Sequence, residues 1–134
     1  MAKSTLILML ILISTLVRAS DWKYLGTEVD RSMYFVDAES IRVERDTRTF
    51  WNYFMFKEPQ TIRDTTYYAT KTQANIDCAK RTMRVLVIQL LDSKGNQVEY
   101  ADARAYASDM PIEPDSVSDA MRKYVCSIKK SAEP

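Results

Sequence analysis

The side chains that could do chemistry in this chain are carboxylates, lysines, tyrosines and two cysteines, because histidine is absent from all 134 residues. Without histidine, Ser-His-Asp and Cys-His nucleophile systems, imidazole acid-base catalysis and histidine-ligated zinc or copper are excluded. Asp37 and Glu39 could act as paired catalytic carboxylates, since alternate residues of a strand share one face. A solvated strand end that leads into a turn explains the same pair, and we favour it. We therefore expect no enzyme activity, no metal site and no cofactor.

The two cysteines, Cys78 and Cys126, are too few for a four-cysteine zinc site. In an oxidising compartment an isolated pair is most simply a disulfide. Such a bond would close a loop of about 49 residues, for which the chain-entropy model gives about 4 kcal/mol of stabilisation. That is comparable to the whole net stability of a small domain.

Basic and aromatic side chains are the candidates for partner binding. The basic candidates are Lys71, Lys80, Arg81 and Arg84. Together they could hold a sulfated glycan or an acidic protein, and an ordinary charged hairpin turn is the competing interpretation. The aromatic candidates are Phe50, Trp51, Tyr53, Tyr67 and Tyr68. Because adjacent residues of a strand face opposite ways, we expect at least half of these aromatic side chains to lie in the core.

The first nineteen residues have the form of a signal peptide. Lys3 gives a basic start, residues 6–17 are an apolar run, and Val17-Arg18-Ala19 has the small-x-small pattern that signal peptidase accepts. An apolar run of about twelve residues is shorter than the about twenty that a membrane-spanning helix needs. We expect residues 1–19 to be removed, with Ser20 as the second choice of cleavage site. The protein is then exported, without a transmembrane helix in the mature chain.

The mature chain has the size of one ordinary domain, which we assign to residues 20–130, with a polar, disordered tail at 131–134. Without Lys3 and Arg18, 17 basic residues remain against 18 acidic ones, a net charge of −1. This balance gives no general attraction to nucleic acid or to an anionic membrane. We therefore expect no nucleic-acid partner.

Short segments with strand character follow one another along the chain. They are residues 22–25, 33–37, 49–56, 68–78, 83–91 and 98–106, with Glu58-Pro59 taken as the end of the third and residues 92–96 as a hairpin loop. The third and fifth segments are apolar on both faces, whereas the fourth alternates between apolar and polar residues. Short turns between consecutive strands predict an antiparallel meander of about six strands.

The C-terminal segment changes to helical periodicity. Its apolar residues Val117, Ala120, Met121, Tyr124 and Val125 fall on one helix face. Ser116 with Asp119 three residues later resembles a capping box. Cys126 lies opposite the centre of the apolar stripe in a regular helix. Either the helix ends near Val125 and the chain turns, or the disulfide reaches the sheet from the helix flank. A sheet with one helix on it is an α+β fold.

Several short motifs, taken in order, resemble the surface-adhesin protein E family of Gram-negative bacteria. They are residues 22–24, residues 34–41, Phe50-Trp51, Ile76-Asp77-Cys78, the Asp-Ser-Lys-Gly-Asn turn at 92–96, and residues 114–126. The resemblance covers nearly all of the mature chain. It implies an antiparallel sheet of about six strands whose C-terminal helix is tied to it by the Cys78–Cys126 disulfide. The family's type member resembles an adhesin that binds vitronectin and laminin.

The chain departs from this family at one position. The type member resembles an outer-membrane lipoprotein with an acylated cysteine, whereas Ser20 stands where that cysteine would be. We therefore expect a protein of the periplasm or cell surface that is not lipid-anchored. Its expected function is that of an exported, non-enzymatic binding module for an extracellular-matrix protein or a sulfated glycan. The alternative is a periplasmic housekeeping or inhibitor-like factor without a role in host adhesion.

Overall fold

A computed structural model of the chain describes residues 19–132. The predicted signal peptide, apart from Ala19, and the last two residues of the predicted tail lie outside the described part. One antiparallel sheet and one α-helix make up the described fold. The strands are β1 (Trp22–Thr27), β2 (Met33–Asp37), β3 (Arg42–Glu44), β4 (Thr47–Ile62), β5 (Thr65–Asp77), β6 (Thr82–Leu91), β7 (Gln97–Asp102) and β8 (Met110–Pro111), and the helix is α1 (Val117–Ser127).

The strands follow the order β1-β2-β4-β5-β6-β7, with β3 paired to β4 and β8 paired to β6. The predicted α+β fold with an antiparallel meander is therefore confirmed. The predicted count of about six strands is wrong, because the described residues form eight. The two unpredicted strands, β3 and β8, have only three and two residues, so they are too short to show an alternating pattern.

The end of β4 also differs from the prediction. Glu58-Pro59 does not stop the strand, which continues to Ile62. The pairing of β4 with β5 shifts between Met55 and Gln60, and this irregularity contains Pro59. Proline lacks an N–H donor and is tolerated where a bulge interrupts the hydrogen-bond ladder. From the shift onward, residues 56–68 form a two-stranded extension of the β4–β5 hairpin, which we call the ribbon.

The core lies between α1 and one face of the sheet. Its buried residues are Val36, Ile41, Phe50, Ala74, Ile76, Ile112, Met121 and Val125. Phe50 is fully buried at the middle of β4, where it pairs with Ala74 of β5. The buried amide of Asn52 points to the same face and donates to the carbonyl of Thr72 at 3.1 Å. The small side chain of Ala74, beside the large one of Phe50, leaves room for the helix.

The helix begins and ends at groups that satisfy its free backbone atoms. The Ser116 hydroxyl accepts the N–H of Asp119, as the capping pair predicts. The carboxylate of Asp119 in turn accepts the N–H of Asp115 at 3.0 Å. At the other end, buried Arg48 of β4 donates to the carbonyl of Ile128 at 2.9 Å. The sheet therefore holds α1 beyond its last turn.

The Cys78–Cys126 disulfide joins the end of β5 to the last turn of α1, with 5.9 Å between the two Cα atoms. The helix continues regularly to Ser127, and Cys126 is partly buried against the core. The second alternative for Cys126 therefore holds, and the disulfide reaches the sheet from the helix flank. Just beyond α1, the hydroxyl of Ser131 accepts the N–H of Val43 at 2.7 Å. The predicted disordered tail thus begins with a residue held on β3.

Candidate binding face

The face of the sheet opposite α1 carries a continuous group of large side chains. We call it the aromatic face and define it by Trp22, Tyr24, Phe35, Trp51, Tyr53, Met55 and Lys71. Strand register explains the grouping, because residues at alternate positions share a face and paired residues lie side by side. Tyr24 pairs with Phe35, Phe35 with Tyr53, and Tyr53 with Lys71. One row of side chains therefore crosses four strands.

The rings of this row meet in tilted and edge-to-face pairs. The ring centroids of Tyr24 and Phe35 are 5.7 Å apart, and those of Phe35 and Tyr53 are 6.3 Å apart. Trp22 packs on Tyr53 at 5.7 Å. Tilted and T-shaped aromatic pairs at these distances are favourable beyond their buried area. The aromatic face is therefore held in shape by its own contacts, although no helix covers it.

Lys71 gives the aromatic face its positive charge. Its ammonium lies 5.2 Å from the ring centroid of Trp51 and 5.9 Å from that of Trp22. At these distances the charge is attracted to the faces of the two indole rings. No ion pair joins Lys71 to a carboxylate within residues 19–132. Its charge is stabilised by aromatic rings and stays open to an acidic group.

The Trp22 ring near this ammonium is also one wall of a shallow apolar cavity of about 220 Å³. Trp22, Phe35, Tyr53 and Met55 line it. Burial raises the pKa of the Tyr53 phenol above its ordinary value, so this wall of the cavity is uncharged at neutral pH. We call this space the apolar cavity. Its walls are three aromatic rings and a thioether, which can accommodate an apolar group.

The four predicted basic residues do not form one patch. Lys71 lies in the aromatic face, and Arg84 is on the same side of the sheet, about 13 Å farther along the strand direction. Arg84 is paired with Asp109, and this contact lowers the pKa of the Asp109 carboxyl. Arg81 lies 4.0 Å from the carboxylate of Asp119. Lys80 is exposed in the β5–β6 turn. Nearby carboxylates therefore reduce the positive field of Arg81 and Arg84.

The carboxylate pair considered for catalysis does not stand on one strand face. Asp37 ends β2, while Glu39 belongs to the short 3₁₀ helix Ala38–Ser40. The Asp37 side chain is buried and accepts the backbone N–H groups of Asp21 at 2.8 Å and Glu39 at 3.1 Å. The expected geometry is wrong because the strand ends at Asp37. The Asp37 carboxylate instead caps two backbone N–H groups.

The expectation that at least half of the five aromatic candidates lie in the core is wrong, because among them only Phe50 belongs to the buried core and Tyr68 is exposed. Trp51 and Tyr53 belong to the aromatic face, whereas Phe50 lies in the core. Tyr67 packs on Phe56 in the ribbon, with ring centroids 5.7 Å apart.

Sequence reasoning missed Trp22, Tyr24, Phe35 and Met55 as members of this surface. Their alternation along the first three predicted strands was a usable signal, but the register that aligns those strands could not be read from it.

The described part of the chain contains no cluster of three or more residues suited to a metal ion. It also holds no helix with the length and hydrophobicity that a membrane span requires.

The fold is a disulfide-linked α+β domain with one antiparallel sheet and a C-terminal helix. The model of the family described as Surface-adhesin protein E matches residues 22–127, and the chain belongs to that family. Membership supports an adhesin-like, generally non-enzymatic role as an exported surface protein. No curated protein sequence matches the chain.

Solved structures of Haemophilus influenzae protein E share the fold. Its crystal form II has a TM-score of 0.62 at 16% identity, with 83% of this chain and 90% of that chain covered. Another structure of the protein has a TM-score of 0.59 at 16% identity, covering 83% and 86%. The protein E structure from the non-typeable organism has a TM-score of 0.58 at 17% identity, covering 84% and 79%. At such identities the likeness shows the fold alone.

Proposed function

We propose that the mature chain is an exported, non-enzymatic adhesin-type module that binds an extracellular-matrix protein through its aromatic face. The observation that carries the proposal is a continuous aromatic surface on a sheet whose other face is covered by α1. Single exposed apolar residues are ordinary, whereas a contiguous group marks an interaction site. Aromatic residues and methionine are also enriched at protein interfaces. Membership of a surface-adhesin family supports a host protein as the partner class.

Two exposed members of the aromatic face make the proposal testable without damage to the core. Tyr24 and Met55 are 57% and 39% exposed. Their joint replacement, Tyr24→Ser with Met55→Ser, removes apolar contact area from the face. Val98→Ser is the matched control, because Val98 is 41% exposed on β7, three strands away from β4. Circular dichroism and thermal unfolding establish that each variant is folded.

The measurement is binding of the purified mature protein to immobilised matrix proteins, including vitronectin and laminin. We expect the double variant to lose at least tenfold in affinity and Val98→Ser to bind like the unmodified protein. Equal affinity of all three proteins, or no binding to any matrix protein, would contradict the proposal.

A sulfated glycan is the second ligand class. Lys71 and Lys80 support it, because neither forms an ion pair within the described residues. Replacement of Lys80, Arg81 and Arg84 by serine should then weaken heparin binding and reduce its dependence on salt. Unchanged heparin binding by the triple variant removes these three residues from the proposal.

The proposal extends to processing and location. Residues 1–19 are removed after Ala19, and the domain of residues 20–130 carries no lipid anchor because Ser20 is not a cysteine. The intact mass of the exported protein tests the cleavage site and the absence of acylation. Protease treatment of intact cells, with a periplasmic marker as control, tests surface display. Protection of both proteins would favour the alternative, a periplasmic housekeeping or inhibitor-like factor.

A further inference from the structure

The apolar cavity and the Lys71 ammonium stand side by side on the aromatic face, and together they specify a partner more narrowly. We propose that the aromatic face binds an extended peptide segment with an apolar side chain in the apolar cavity and an acidic side chain two residues away on Lys71. This inference rests on the proposed function, since it names the chemistry of the protein partner.

The size of the apolar cavity favours a single side chain. Its volume of about 220 Å³ is below the about 300–1,000 Å³ of sites that enclose small molecules. One large apolar side chain fits a space of this kind, and such anchors contribute much of the binding energy at protein interfaces. A sugar ring would need polar groups to satisfy its hydroxyls. The apolar cavity offers few such groups, since beside the Trp22 indole N–H and the Tyr53 hydroxyl its lining is ring carbon and the thioether of Met55.

The position of Lys71 fixes the second requirement. Its ammonium is 5.9 Å from the ring centroid of Trp22, which is itself a wall of the apolar cavity. In an extended peptide, residues two positions apart point to the same side and are about 6.6 Å apart. A peptide with its apolar side chain in the cavity therefore brings its next same-side residue to the ammonium.

Charge complementarity identifies that residue as aspartate or glutamate. Lys71 has its aromatic contacts and no acidic partner within residues 19–132. The surrounding rings also lower the local dielectric constant, which strengthens attraction to a carboxylate relative to open water. A basic residue at the same place would be repelled.

Intrinsic fluorescence gives a direct assay, because Trp22 and Trp51 are the only two tryptophans of the chain and both contact Lys71. The first probe is a nine-residue serine-threonine peptide with one phenylalanine and a glutamate two positions later. The second probe carries lysine in place of that glutamate. Heparin is the third probe. Each is titrated into the mature wild-type protein, into Lys71→Glu and into the control Val98→Glu.

We expect the wild-type protein and Val98→Glu to bind the glutamate peptide at least tenfold more tightly than the lysine peptide. Lys71→Glu should reverse the preference, since the charges are exchanged. Lys71→Gln provides a second variant without charge and should bind both peptides equally. Thermal unfolding of every variant checks its fold.

Equal affinity of the wild-type protein for the two peptides, a preference that Lys71→Glu does not change, or a response to heparin alone would overturn the inference. Failure here is distinguishable from failure of the proposed function. If Tyr24→Ser with Met55→Ser abolishes matrix-protein binding while neither peptide binds at millimolar concentration, the aromatic face is still the binding site. Only the acidic extended segment is then wrong.

Discussion

At the scale of single residues, Asp119 is the charge most closely tied to the fold. Its side chain is 3% exposed, and its carboxylate receives Arg122 at 2.8 Å and Lys123 at 3.3 Å. It also accepts the backbone N–H of Asp115 at 3.0 Å. This backbone hydrogen bond, followed by the bond from Arg122, lowers the pKa of Asp119 from 3.8 to about 2. The ionised carboxylate is therefore part of the folded state.

The lowered pKa of Asp119 predicts the direction of acid destabilisation. Since the pKa is lower in the folded than in the unfolded state, the stabilisation is complete above about pH 4 and is lost as the pH falls towards 2. Asp119→Asn should lower the melting temperature at pH 6 and flatten the decline in stability between pH 4 and pH 2. Urea unfolding over this range measures both effects. Glu58→Gln is the control, and an equal flattening there would contradict the assignment.

Phe50 is the largest fully buried side chain among the described residues. It is fully buried, so Phe50→Ala leaves a cavity and should cost about 3–5 kcal/mol in the free energy of unfolding. Phe50→Leu, which leaves less space, should cost clearly less. Urea denaturation of both variants gives the values. A loss below about 1 kcal/mol for alanine would show that the helix and sheet close over the vacated space.

At the scale of elements, the disulfide fastens α1 to the end of β5. Cys78 and Cys126 are separated by 48 positions, and the chain-entropy model gives about 4 kcal/mol for such a loop. We expect the reduced protein, or the Cys78→Ala, Cys126→Ala double variant, to melt well below the oxidised protein. Differential scanning calorimetry with and without a reductant measures the difference. Equal melting temperatures, or two alkylatable thiols in the native exported protein, would contradict the pairing.

The elements differ in how far they could be predicted from the sequence. β2 and the start of α1 were predictable, because Met33–Asp37 has strand-forming residues after a turn and Ser116 supplies a local cap. The continuation of β4 past Pro59 was not, because a bulge depends on the partner strand. β3 is held by pairing with β4 and by Ser131 from beyond the helix, a contact between residues 88 positions apart. No local pattern encodes such a contact.

At the scale of the whole molecule, stability is distributed unevenly between the body of the sheet and the ribbon. Pairing of β2 with β4 stops at Met55, and pairing of β5 with β6 stops at Ala69. Residues 56–68 therefore have no third strand in the described structure. A hairpin without a third strand is only marginally stable in water, and the exposed Arg63–Glu99 ion pair at 3.9 Å, which joins the ribbon to β7, adds little. We therefore expect the ribbon to open far more often than the core.

Limited proteolysis tests this distribution. Lys57 and Arg63 are exposed in the ribbon, whereas Lys80 and Arg81 are exposed in the turn next to the disulfide. Brief trypsin treatment of the folded protein should cut first after Lys57 or Arg63, because an opened ribbon can enter the protease. Mass spectrometry of early products identifies the first cut. A first cut after Lys80 or Arg81 would contradict the expected order.

The whole-molecule arrangement of the aromatic face was the least accessible from the sequence. Trp51 and Tyr53 could be named as surface candidates, but Trp22 comes from a strand two places away in the sheet. Their meeting at Lys71 depends on the register of β1, β2, β4 and β5. A shift of one residue in any of these pairings would turn a set of side chains towards the helix.

The same disulfide has a mechanical consequence for a molecule pulled at its two ends. Force on the N-terminal side reaches β1, an edge strand that is paired only with β2. The hydrogen bonds between these two strands are therefore loaded and broken one after another. The covalent bond between Cys78 and Cys126 excludes the chain between them from stretching. At about 3.4 Å per residue, this withholds on the order of 160 Å of extension. Under tension, β6, β7, β8 and most of α1 stay inside a closed ring, and reduction of one bond releases the whole of that length.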